Sequence, residues 1–238
     1  PARSPVAGRS HSSSQTPAPR VGLDMICGHE NWGSIIIELD EERAPATVRN
    51  FMAYVDQGYY NNMIFHRIIG DFIAQGGGYL ALDQPKKMGL RPPITNEADN
   101  QLKNLRYTVA MARGKDPQSA TAQFFINLAD NPKLDYPGTD GWGYCVFGIV
   151  VLGQNVVERV AAAAVHPNPS VPGENSRPVT PPTIRRAYRA YAAETPDAPQ
   201  RVPQTAKPQR PAPPGSPPPV PPAESQAPPD TGDSTHEP

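Results

Sequence analysis

Two segments of the chain repeat their hydrophobic residues with the period of an α-helix. The first is predicted to begin at Pro45, because proline suits a first helical turn, and to end before Gly58, which fits the position after a C-cap. The second is predicted to be capped by Asn155. The predicted buried faces are Val48, Phe51, Met52 and Val55 in the first helix, and Val156, Val157, Val160, Ala161 and Ala164 in the second.

The other hydrophobic runs are short, bounded by turn residues and rich in β-branched and aromatic side chains, which predicts β-strands. Many short strands with only two helices indicate a mainly β fold, and periodicity leaves an antiparallel barrel and a sandwich open. The predicted strands are residues 34–39, 65–69, 72–75, 107–112, 123–128, 144–151 and 183–190, with a hairpin turn at Gly70-Asp71 and the last strand at a sheet edge.

Proline divides the chain into a folded part and two ends. Of the 32 prolines in 238 residues, 15 lie in residues 191–238. Because proline lacks a backbone donor and fixes φ, neither helix nor sheet can continue through such a segment. We therefore expect residues 191–238 to be a proline-rich disordered tail. Residues 1–21, poor in large apolar side chains, are expected to be a disordered N-terminal segment, and residues 22–190 one folded domain.

Charge and cysteine content change this picture little. The formal net charge of −1 gives no reason to expect nucleic acid or an anionic membrane as a partner. No apolar run approaches the roughly 18 residues of a membrane span. Of the two cysteines, Cys145 lies in an apolar run and is expected to be a buried thiol. We expect a cytoplasmic protein, with a periplasmic or exported one as the alternative.

The first candidate for chemistry is the stretch at residues 65–78, FHRIIGDFIAQGGG. Two strands joined by a tight turn can place Arg67, Phe72 and Gln75 together on one sheet, as a recognition site or as an edge arginine beside a core phenylalanine. The three glycines lack the Gly-Lys-Ser/Thr that a phosphate-binding loop requires. His66 has no His, Cys or acidic partner at ligand spacing, so we expect a packed histidine rather than a metal ligand.

Two further stretches are less specific taken alone. Residues 111–127 place a run of small residues before Phe124 and Phe125, which would let another chain approach a pocket with an aromatic floor. Residues 141–148, GWGYCVFG, are typical of a strand at a tight corner.

Together these stretches resemble the cyclophilins, in particular the short bacterial branch. The matching segments are FHRIIGDFIAQGGG, NEADNQLKN, AMARGKDPQSATAQFFINLADN and GWGYCVFG, in the family's order and spacing, and the resemblance covers about residues 25–190. It implies a closed eight-stranded antiparallel barrel capped by two α-helices. It also implies peptidyl-prolyl cis–trans isomerase activity in protein folding, without a metal or other cofactor.

The resemblance also implies roles for individual residues. Arg67 falls on the family's catalytic arginine, and Tyr144 stands where eukaryotic members carry histidine. Lys133 stands where those members carry a tryptophan tied to cyclosporin binding, so tight inhibition by cyclosporin is not expected. The implied substrate-binding residues are Phe72, Ile73, Phe125 and Leu134 as pocket walls, Gln75 and Gln123 as polar contacts, Ala112 and Arg113 beside the residues that precede the proline, and Tyr144.

The implied partners are proline-containing peptides and unfolded client proteins, and the family is usually monomeric. An alternative is a chaperone or holdase module that grips proline segments with little turnover. A third interpretation concerns the tail, where residues 217–222, PPPVPP, resemble a ligand for groove domains of the SH3 or WW kind.

Overall fold

The computed structural model describes residues 17–191. Of the predicted disordered segments 1–21 and 191–238, residues 1–16 and 192–238 lie outside the described residues. A single 3₁₀ turn within the described part spans Pro132–Leu134. The two helices are α1 (Pro45–Asp56) and α2 (Gln154–Ala161). The strands are β1 (Arg20–Cys27), β2 (Glu30–Leu39), β3 (Met63–Ile69), β4 (Ile73–Ala81), β5 (Gln84–Pro85), β6 (Thr108–Met111), β7 (Phe124–Asn127), β8 (Val146–Leu152), β9 (Val165–Pro167), β10 (Asn175–Pro178) and β11 (Thr183–Ala190).

Eight of the strands close into an antiparallel barrel. Their order is β3-β11-β1-β2-β8-β6-β7-β4, and β4 pairs back onto β3. This closure confirms the predicted barrel and excludes a sandwich. The barrel begins at Arg20, two residues before the predicted domain boundary, because Arg20 and Val21 pair with both β2 and β11.

The last strand is not at an edge, contrary to the prediction. β11 has the predicted bounds, but it pairs with β1 along its length and with β3 at Thr183 and Ile184. The sequence pattern of a strand does not show how many neighbours the strand will have, and closure of the barrel gives β11 two.

The first helix is confirmed in bounds and in buried face. Val48, Phe51, Met52 and Val55 are all buried, and Gly58 has the positive φ that suits the position after the cap. No N-cap side chain binds the first turn. Instead Glu97 accepts hydrogen bonds from the backbone N–H groups of residues 46 and 47, at 3.0 and 2.9 Å. A carboxylate there also suits the positive end of the helix dipole.

The second helix begins differently from the prediction. Its N-cap is Gly153, at φ +86°, and Asn155 lies inside the helix. A Cβ on Gly153 would lie 2.2 Å from the backbone oxygen of Ser34, so only glycine fits at this crossing. Val156, Val157 and Val160 are buried as predicted, whereas the helix ends at Ala161 and leaves Ala164 exposed beyond it.

The barrel interior is filled by one hydrophobic core with a dense group of aromatic rings. Phe51 lies 5.1 Å from Tyr60, 5.4 Å from Phe124 and 5.0 Å from Phe147, measured between ring centroids. Such a core fixes the strands in place, so that residues on their other faces are presented by a rigid frame. No helix among residues 17–191 is long and apolar enough to cross a membrane.

Candidate active site

A second, smaller hydrophobic cluster lies on the face of the sheet that is turned away from the core. Successive side chains of a strand point to opposite faces. Phe124 belongs to the core and Phe125 to this cluster, and Met111 and Ala112 are divided in the same way. We call it the outer cluster, and it consists of Phe72, Ile73, Ala110, Ala112, Phe125, Leu134 and Val146, with Ile69, Leu102 and Tyr144 partly buried against it.

Arg67 reaches this face because β3 contains a bulge. The register pairs Phe65 with Gly76 and Arg67 with Gln75, so that His66 is an extra residue on β3. Without this extra residue, Phe65 and Arg67 would lie on the same face of the strand. With it, Phe65 and Ile68 both pack in the core, and Arg67 lies on the opposite face. His66 packs on the ring of Tyr79, at 4.4 Å between ring centroids. No group of three or more potential metal ligands occurs within residues 17–191.

The guanidinium of Arg67 is buried and held by a carboxylate. The side chain is 4% exposed. Its Nε donates to Oε1 of Glu174 at 2.8 Å and one terminal nitrogen, NH2, donates to Oε2 at 2.6 Å. The other terminal nitrogen, NH1, has no hydrogen-bond partner within the described residues. One terminal nitrogen of the arginine, itself buried, is therefore left unsatisfied by the protein.

Gln75 offers the complementary acceptor. Its Nε2 donates to Oε1 of Gln123 at 2.9 Å, while its own Oε1 is buried and has no partner within residues 17–191. Gln75 is also the strand partner of both Arg67 and Phe125. A peptide carries one donor and one acceptor per residue, so this pair of unpaired groups suits a peptide backbone beside an apolar pocket.

Comparison with known proteins gives the family. Residues 23–189 match the family model of the cyclophilin type peptidyl-prolyl cis-trans isomerases. The chain belongs to the cyclophilin family. It is 49% identical to peptidyl-prolyl cis-trans isomerase B of Escherichia coli, over 59% of this chain and 85% of that one. It is 50% identical to the isomerase cyp18 of Streptomyces antibioticus, over 65% of this chain and 92% of that one.

A solved structure agrees on the fold. The cyclophilin type isomerase of Cryptosporidium parvum matches with a TM-score of 0.57, covering 73% of this chain and 98% of that one at 23% identity. This cyclophilin is therefore a peptidyl-prolyl cis–trans isomerase with the family's barrel, as its sequence predicts.

The structure brings nearly all the predicted site residues of this cyclophilin together. The outer cluster contains Phe72, Ile73, Ala112, Phe125, Leu134 and Tyr144. Arg67 and Gln75 are paired on β3 and β4 beside it, and Gln123 directly precedes β7 and binds Gln75. Tyr144 packs edge-on against Phe125 at 5.8 Å. Burial raises the pKa of Tyr144, so its hydroxyl stays neutral at physiological pH.

Arg113 is committed to structure rather than open to a ligand. Its side chain is 4% exposed, donates to the backbone oxygens of Gly143 and Gly114, pairs with Asp140, and stacks over the ring of Tyr144 at 4.4 Å. Arg113 therefore holds Tyr144 against the outer cluster. Any contact of residue 113 with substrate is left to its backbone.

The glycine triplet of β4 permits close approach and is not a phosphate loop. Gly77 has φ +79°. A Cβ on Gly78 would lie 2.6 Å from Cδ of Gln123, so the amide of Gln123 can cross β4 only over a glycine.

Lys133, next to Leu134 in the 3₁₀ turn, is exposed.

Sequence reasoning missed a network of asparagines that fixes Leu134. Asn131 donates to the backbone oxygen of Phe72 at 2.9 Å and to Asn127 at 2.8 Å, and Asn127 donates to Asn104 at 3.2 Å. The only sequence signal is the crowding of asparagine in NEADNQLKN and FFINLADN.

Glu174 was also missed. It lies in the loop between β9 and β10, in a proline- and glycine-rich stretch with no periodicity that would pair it with β3.

Cys145 is a buried free thiol as predicted, and burial raises its pKa to about 12.

Proposed function

We propose that Arg67 accelerates X–Pro rotation by stabilising the twisted imide. Rotation breaks amide resonance and meets a barrier of about 18–20 kcal/mol. In the twisted state the imide nitrogen becomes pyramidal and exposes a lone pair. A guanidinium stays charged and directional when buried. Because the lone pair is exposed only in the twisted state, a fixed donor aimed at it acts mainly in that state. Lowering the barrier by about 7 kcal/mol would give roughly five decades of rate.

The observation that carries this proposal is the unpaired donor of Arg67 beside the outer cluster. Its other two nitrogens are held by Glu174, and the only other buried polar side-chain atoms without a partner in residues 17–191 belong to Gln75 and His66. A directed cation beside apolar walls is the combination that the reaction needs, because the walls hold the pyrrolidine ring while the preceding residue rotates.

We propose that Gln75 and Gln123 hold the substrate backbone, with Ala112 and the backbone of residue 113 beside the residues that precede the proline. The substrates are then proline-containing segments of unfolded client proteins. A monomeric state and a groove-domain partner for the proline-rich tail stay predictions, and residues 217–222 lie outside the described residues. The compartment also stays a prediction.

The test is the exchange rate of a short Ala-Pro-Phe peptide in the presence of wild-type protein and Arg67→Ala. We expect exchange to fall by about 10²–10³-fold in the variant, the usual loss on removing one fixed donor. Arg106→Ala is the matched control, since Arg106 is an exposed arginine paired with Glu158 and lies outside the site. Equal rates for wild type and Arg67→Ala would overturn the proposal.

A further inference from the structure

The hairpin of β9 and β10 lies against β3, and the loop between its strands brings Glu174 to Arg67. The two side chains are 5% and 4% exposed and meet in a fork-to-fork arrangement with two hydrogen bonds. Bidentate contacts of this kind fix the plane of the guanidinium as well as its position.

The carboxylate is itself held in place. Ser176 binds Glu174, and Asn168 donates to the hydroxyl of Ser176 at 3.0 Å. The backbone of the loop closes with hydrogen bonds from Asn168 to the oxygen of Glu174, at 2.8 Å, and from Glu174 to the oxygen of Val171, at 3.1 Å. Burial raises the pKa of Glu174, but the bonds from Arg67 and Ser176 outweigh it, so the group is ionised at neutral pH.

The pairing decides which nitrogen of Arg67 is left without a partner. Because Nε and NH2 are taken by Glu174, NH1 remains as the one unpaired nitrogen of Arg67. An arginine side chain without such a clamp has four rotatable bonds and would present its nitrogens in many orientations. A small misplacement of a catalytic group can cost about 10²-fold in rate.

We propose that Glu174 is a positioning residue for the isomerisation, which acts by clamping Arg67 so that NH1 is directed at the rotating imide. This inference rests on the proposed role of Arg67. The alternative is that the carboxylate only withholds the arginine from the substrate by reducing the net charge at the site. That role predicts the opposite result, a rise in rate when Glu174 is neutralised.

The experiment measures kcat and KM for the Ala-Pro-Phe peptide with Glu174→Gln, Glu174→Asp, Arg67→Ala and the double variant Arg67→Ala/Glu174→Gln. Rates are corrected for the folded fraction by circular dichroism at the assay temperature. Asp83→Asn is the matched control, because Asp83 accepts a hydrogen bond from Arg177 of the same hairpin at 2.7 Å but does not touch Arg67.

We expect Glu174→Gln to lower kcat by roughly 10- to 100-fold with little change in KM, since the clamp sets orientation rather than binding. Glu174→Asp keeps the charge and should recover part of the loss, and Asp83→Asn should match wild type. In the Arg67→Ala background, Glu174→Gln should have no further effect, because a residue that acts through Arg67 is silent without it.

The cycle separates the inference from the proposed function. A wild-type kcat, or a higher one, for Glu174→Gln would overturn the positioning role. So would an equal loss in the presence and absence of Arg67, since that describes a structural contribution alone. If Arg67→Ala itself exchanged the peptide like wild type, the proposed role of Arg67 would fail, and the positioning role with it.

Discussion

Arg67 and its neighbours show how the burial of a cation is offset by a carboxylate. Burying an ion is costly unless it is paired and hydrogen-bonded, and removing one partner of a buried pair costs about 3–5 kcal/mol. Glu174 supplies that pairing through two hydrogen bonds and leaves one nitrogen of the arginine, NH1, without a partner. The site therefore holds a permanent charge that does not depend on a titrating group.

This permanence predicts a flat pH profile. Arginine does not titrate near neutrality. Burial and the charge of Arg67 lower the pKa of His66 to about 3, and burial raises the pKa of Tyr144, so both stay neutral. We expect kcat/KM to be nearly constant from mildly acidic to mildly alkaline pH. A bell-shaped profile, measured with the Ala-Pro-Phe peptide, would show that a His or a carboxylate transfers a proton and would refute the mechanism.

At the scale of elements, β4 positions the polar part of the site. Its side chains alternate between the core and the outer face, so that Ala74 packs inside while Ile73 joins the outer cluster. The glycines that follow leave room for the Gln75–Gln123 hydrogen bond to form above the strand. The glycine triplet and the two amides are thus one structural unit.

Gly78→Ala tests that unit. The added methyl would displace Gln123 and break its 2.9 Å bond to Gln75, while the backbone of Gly78 has no positive φ that would strain the variant. One neutral hydrogen bond contributes about 0.5–1.5 kcal/mol, so we expect KM to rise about 3- to 10-fold with kcat nearly unchanged.

The control is Gln123→Ala, which should give the same rise in KM. Added to Gln123→Ala, the Gly78→Ala change should have no further effect, as measured by steady-state kinetics. A fall in kcat with unchanged KM in Gly78→Ala would contradict the assignment of these amides to substrate binding.

Hydrophobic periodicity predicted the elements better than it predicted their junctions. The buried face of α1 and the positions of most strands follow from apolar spacing alone, because these elements bury the apolar side chains that recur at that spacing. The bulge at His66, which turns Arg67 away from the core, breaks the period that a strand prediction relies on. The predicted start of α2 was wrong because close packing of Gly153 on Ser34, rather than a capping side chain, sets where the helix begins.

For the whole molecule, the barrel acts as a rigid frame for a site that lies on its outer surface. The resemblance to cyclophilins carried the prediction of the pocket, because no pattern within the sequence places Phe72, Phe125 and Leu134 in contact. Glu174 could not be predicted, since it lies 107 residues from Arg67 along the chain, in the irregular loop between β9 and β10. Long-range contacts from irregular segments leave no periodic signal in a sequence.

The central claim is that Arg67 binds the twisted state better than the ground state. We would measure, by NMR on one peptide sample, both the enzyme-catalysed exchange rate and the dissociation constant for wild type and Arg67→Ala. The account predicts that exchange falls by about 10²–10³-fold while the dissociation constant changes by less than about threefold. A dissociation constant that weakens as much as the rate falls would show that Arg67 only binds the substrate, and would contradict the account.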